Sequence, residues 1–91
     1  MNQKLFVHLP CTRNDKSGLE ALTTEIDLAF REVCEDGKVS AHDWSEEGGM
    51  AIITCSGRNA DRLAEIARRT VAFLWKSGPA ELIKGEAVRP H

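Results

Sequence analysis

Most of this chain's capacity for chemistry near neutral pH lies in three histidines, His8, His42 and His91, and three cysteines, Cys11, Cys34 and Cys55. Imidazole titrates in that range, and a thiolate is both a nucleophile and a soft metal ligand. His8, His42 and Cys55 fall on three different predicted strands and can be drawn together as zinc-type ligands. They lack the short fixed spacing that defines a zinc motif, so neither a metal nor any other cofactor is expected. Cys11 follows His8 by three residues, but the chain turns at Pro10 between them, and a nucleophilic thiol needs a neighbour that lowers its pKa. Ser40, His42 and Asp43 contain the types of a hydrolytic triad, yet neighbours on one strand alternate faces and cannot converge. No catalytic residue is assigned. An odd number of cysteines without a C-x-x-C pair fits reduced thiols and a cytoplasmic address better than a disulfide frame.

The elements that position these residues follow from hydrophobic period. Lys4 to Leu9 alternates, with Leu5, Val7 and Leu9 on one face and Lys4, Phe6 and His8 on the other, the period of a strand. Ser17-Gly18-Leu19-Glu20 has the form of a capping box. Behind it Leu19, Leu22, Ile26, Ala29, Phe30 and Val33 predict an amphipathic helix stopped by Asp36-Gly37. Lys38 to Trp44 predicts a strand with Val39 and Ala41 on one face and His42 and Trp44 on the other. The polar turn Ser45 to Gly49 leads into an apolar strand, Met50 to Cys55, a hairpin signal. Asn59 caps a second helix striped by Leu63, Ile66, Ala67, Thr70, Val71 and Leu74, ended by Lys76-Ser77-Gly78-Pro79. A last strand covers about Ala80 to Val88.

The order βαββαβ predicts an α+β, ferredoxin-like fold: one domain over residues 1–91, a four-stranded antiparallel sheet with two helices on one face. The other face is then free, and Phe6, His8, His42, Trp44 and Ile53 are expected to line it. An apolar open face with a polar rim suggests association with a protein partner or a second copy. Polar replacement of Phe6 and Trp44 is expected to weaken that association without unfolding the domain. The loop Cys11 to Gly18 precedes a helix, where backbone N–H groups favour anions, so Arg13, Lys16 and Gly18 form a possible anion site. It has neither the C-x-x-C of copper-chaperone domains nor the glycine-rich phosphate loop of acylphosphatases, which share this fold.

Composition narrows the partners. Leu, Ile, Val and Phe make up 21 of 91 residues, enough for a folded core. Twelve basic against fourteen acidic residues, interleaved, argue against nucleic acid. Of the aromatics only Phe6 is placed to stack a base. Arg58, Arg62, Arg69 and Lys76 stripe the second helix, with Asp61 and Glu65 as local partners and an acidic stripe, Glu25, Glu32 and Asp36, on the first. The longest apolar run, Val71 to Trp75, is far short of the roughly twenty residues that cross a bilayer, and the first ten residues do not have the form of a signal peptide, so no membrane is expected.

The stretch Asp36 to Trp44, the Gly48-Gly49 turn, the apolar strand after it and Ser56 to Leu63 together resemble small stand-alone bacterial ferredoxin-like proteins of uncharacterised function. The similarity covers roughly residues 36–88 and carries no catalytic residue. The leading expectation is a binding or regulatory domain, immunity- or regulator-like, acting by protein association. The alternatives are a dimeric α+β-barrel-type enzyme or small-molecule binder, with a pocket between two sheet faces and His8 or His42 as acid–base or ligand, and an anion-responsive domain using the 11–18 loop.

Overall fold

The computed structural model describes residues 3–11, 13–33, 36–44, 49–75 and 80–85. Strand β1 (Gln3–Pro10) is followed by a 3-10 turn, Arg13–Asp15, and helix α1 (Lys16–Val33). Then come β2 (Lys38–Trp44), β3 (Met50–Gly57), α2 (Ala60–Leu74) and β4 (Glu81–Gly85). The sheet order is β2-β3-β1-β4 with every neighbouring pair antiparallel. This is the ferredoxin-like α+β arrangement.

The core lies between one sheet face and the two helices. Leu5, Val7 and Leu9 of β1 and Ala51, Ile53 and Cys55 of β3 are fully buried. They pack under Leu19, Leu22, Ile26 and Phe30 of α1 and Leu63, Ala67 and Val71 of α2. Period two on the strands and spacings of three and four on the helices put these side chains on facing surfaces. The last members of both predicted stripes lie outside this core, with Val33 51% exposed and Leu74 43% exposed.

Helix boundaries follow local hydrogen bonding. Asn59, extended at φ −131° and ψ 100°, accepts the Arg62 N–H on its side chain at 3.2 Å, and Gln3 Oε1 of β1 accepts the Ala60 N–H at 2.7 Å. Two orphan donors of the α2 N-terminus are thereby satisfied. The Trp75 N–H donates to the Val71 carbonyl at 2.7 Å and closes the other end. The predicted capping box is not the start of α1. The 3-10 turn feeds the helix directly from Lys16, which places Ser17 inside the first turn. Strand β4 is described over Glu81–Gly85, and the predicted stretch 86–88 and the terminator 76–79 lie outside the described residues.

One irregularity decides which side chains share a face. In the β2–β3 ladder Val39 pairs with Cys55, but Ala41 pairs with Thr54, so Ser40 is an extra residue, a β-bulge. Beyond it the β2 side chains are inverted relative to simple alternation.

Candidate functional site

The sheet face turned away from the helices has no covering layer among the described residues. Residues directly opposite in an antiparallel ladder share a face, so the registers give this surface row by row. One row runs Asp43, Ile52, His8, Glu81; the next runs Ala41, Thr54, Phe6, Ile83; a third runs Lys38, Ser56, Lys4, Gly85. Phe6, Ile52, Thr54 and Met50 are half-buried and Ile83 is 39% exposed. The Phe6 ring leans over Gly85, whose Cβ position would lie 3.8 Å from the ring. His8, half-buried, stands between Ile52 and Glu81. Ser40 and Ser56 share a hydroxyl hydrogen bond at 3.1 Å. The surface is thus an apolar centre with one imidazole in it and charge at its margins: Lys4, Lys38, Asp43 and Glu81. Such a surface can seat a flat apolar molecule or a second apolar face, with the imidazole of His8 beside whatever lies there.

Of the residues expected here, Phe6 and His8 are on this face. His42, Trp44 and Ile53 are on the other. His42 pairs with Ile53 and Trp44 with Ala51, both fully buried partners on the helix side. The cause is the Ser40 bulge, which adds one residue and turns the following side chains over. Ile53 pairs with Val7 and is a core residue. Trp44 packs against the core. His42 is exposed beside a hollow of about 270 Å³ of mixed polarity, shared with Thr23, Thr24, Asp27, Val39, Ser40 and Ala41. His8 and Cys55 consequently lie on opposite faces of the sheet. Among the described residues no group of three His, Cys, Asp or Glu side chains is placed to hold a metal.

The open face also contains Ile52, Thr54, Ile83 and Glu81, which the sequence reading left out. The alternation of β3 already places Ile52 and Thr54 opposite Ile53. Ile83 and Glu81 needed the β1–β4 register, which no short-range pattern supplies.

The 11–18 segment is not an open loop. Residues 13–15 form the 3-10 turn and Lys16 to Gly18 are helical. Lys16 is exposed, and Gly18 faces Trp75, with a Cβ position 3.6 Å from the indole. Cys11 is buried, and burial, then the nearby Asp15 carboxylate, raises its thiol pKa. Burial, then Asp27, pushes the Cys55 thiol up to about 12. Both shifts disfavour the thiolate that nucleophilic chemistry requires.

Part of the charged stripes is paired at the surface, while Glu25 and Glu32 enter no ion pair among the described residues and Lys76 lies outside them. Glu65 takes Arg62 at 3.0 Å and Arg69 at 3.5 Å, Asp36 takes Arg58 at 3.6 Å, and Asp61 pairs with Lys84 of β4. Each is worth about 0–1 kcal/mol. No helix is long and apolar enough to cross a membrane among the described residues.

The sequence matches no protein-family model and no curated protein. Solved structures of the same fold do match. The protein Rv0793 from Mycobacterium tuberculosis has a TM-score of 0.61 at 15% identity, over 99% of this chain and 98% of its own. A "Putative antibiotic biosynthesis monooxygenase from Nitrosomonas europaea" has a TM-score of 0.62 at 13% identity, over 98% of this chain and 92% of its own. At these identities the likeness concerns the fold.

Proposed function

We propose that this chain is an enzyme or binder of small apolar molecules, whose site is the open sheet face closed by a second copy of the chain. The observation that carries the reading is the open face itself, where Phe6, Ile52, Thr54 and Ile83 surround a single imidazole, His8. An apolar surface of this breadth is costly against water and is relieved by a second apolar face or a ligand. Two sheets packed at about 10 Å exclude water between them, and a ligand there meets His8 in a medium where charge is weakly screened. The monooxygenase named for the Nitrosomonas protein, which has the same fold, supports this alternative over the association-only reading.

In this reading His8 accepts a proton from an acidic O–H or C–H of the bound molecule. Glu81, opposite His8 on β4 in the same row, supplies negative charge near the imidazolium so formed. The enolate or phenolate left behind is electron-rich, the form in which organic molecules react with dioxygen. For a phenol such as 1-naphthol the oxygenation balances with dioxygen as the sole oxidant: the ring gives up four electrons and becomes a quinone, one oxygen atom enters it, and the other leaves as water.

The test is a protein NMR titration with 1-naphthol, a two-ring phenol, alongside light scattering for mass. The expected result is a dimer, with saturable shifts at Phe6, His8, Ile52, Thr54 and Ile83. His8→Gln is expected to keep naphthol binding but to lose any naphtholate absorbance that the wild type induces. A monomer whose open-face signals are untouched by naphthol would overturn the reading.

A further inference from the structure

On the helix layer, away from the open face, the first three turns of α1 and the end of α2 flank an open cleft of about 360 Å³. Its walls are Gly18, Ala21, Leu22, Leu74 and Trp75, and its one charged residue is Glu25. We propose that this cleft binds a small organic cation, an amine on an apolar body.

Three observations carry this. The indole is held in place: its Nε1–H donates to the Pro10 carbonyl at 3.2 Å, and its ring lies against Gly18. The absence of a side chain at Gly18 leaves room beside that ring, where a Cβ would already be in van der Waals contact. Leu74, a stripe position that sequence period assigns to the core, instead lines the cleft, 43% exposed. Glu25 is the third. The positions three and four residues away on α1 are Ala21, Leu22, Leu28 and Ala29, so no basic side chain of its own helix can reach it. Among the described residues the ion pairs use Asp27, Asp36, Asp61 and Glu65, and Glu25 enters none. A carboxylate that meets no countercharge among the described residues, beside an apolar cleft, is complementary to a cation with an apolar tail. An indole face adds attraction for ammonium. The volume falls within the range of small-ligand pockets.

The experiment is an NMR titration of the full chain with phenethylammonium and, separately, phenethyl alcohol, which has the same carbon skeleton without the charge. The expected result is a saturable shift of the Trp75 indole N–H and of the Ala21, Leu22 and Glu25 amides. Phenethylammonium should bind roughly threefold to fivefold tighter than the alcohol, the scale of a partly exposed ion pair. Glu25→Gln should remove that preference while the alcohol binds as before. Ala21→Trp, at an exposed helix position, should fill the cleft and abolish both. Equal affinity for the two probes, a preference that survives Glu25→Gln, or shifts mapping to Phe6 and His8 instead would each overturn the proposal.

Discussion

Among the described residues, the buried thiol of Cys55 is one whose chemistry the fold changes strongly. Cys55 ionises near 12 in the fold, against about 9 when free. The folded state therefore keeps a proton that the unfolded chain gives up above pH 9. Stability from this group is whole below pH 9 and falls as pH rises from 9 towards 12, by up to about 1.4 kcal/mol per unit. Urea midpoints should drop between pH 8.5 and 10.5 in the wild type and drop less in Cys55→Ala. A slope identical in both would show the thiol has no part. Substitutions at Phe6 and Trp44 should separate cleanly. Phe6→Asp sits on the open face and should break the proposed dimer with little loss of fold. Trp44→Asp puts a charge against the core and should lower Tm instead. Ile53→Ala, fully buried, should cost about 2–5 kcal/mol, read from chemical denaturation.

Strand β2 is an edge, and an edge offers unpaired backbone groups to other chains. Two devices blunt it. The Ser40 bulge interrupts the ladder, and side chains occupy backbone donors: Asp27 Oδ1 accepts the Val39 N–H at 3.0 Å, and Asp43 Oδ1 accepts the Trp44 N–H at 2.8 Å. Asp27 also takes Arg31 at 3.1 Å, so one carboxylate ties α1 to the edge. Asp27→Ala should cost about 1 kcal/mol, a Tm lowered by roughly 4–8 °C, and should raise concentration-dependent association. Unchanged Tm and unchanged mass would rule this bond out as an edge guard. The bulge has a second effect: it sends His42 and Trp44 to the helix side, so the element that protects the edge also decides which residues the open face has.

As a whole the described backbone is a slab of 35 × 35 × 18 Å, two layers thick, with one broad sheet face uncovered. Two-layer architecture gives the sheet a covered side and a free side. A chain of this size buries only about 60–65% of its unfolded surface, so covering the free side adds stability that the core alone supplies sparingly. Tm should therefore rise with protein concentration for the wild type and be independent of it in Phe6→Asp. Concentration independence in both would argue for a free open face.

Residue spacing together with turn and cap signals determined the element order, the βαββαβ architecture, the buried face of β1 and the Asn59 cap. These depend on residues within a few positions of one another, where the helical and strand repeats leave one choice. His8 and Phe6 were legible for the same reason: β1 alternates without interruption. The buried face of β3 was not determined in this way: both faces of Met50 to Cys55 are largely apolar, and Ile53, expected on the open face, is a core residue. The wrong placement of His42 and Trp44 has an equally definite cause. A bulge is one residue of mismatch between two strands, visible only in their pairing, and nothing in Lys38 to Trp44 marks Ser40 as the extra one. Glu81 and Ile83 beside His8 and Phe6, and Trp75 above Gly18, join residues more than fifty positions apart. Such neighbours are set by the register of β4 on β1 and by where α2 ends over α1, which the packing of the core decides.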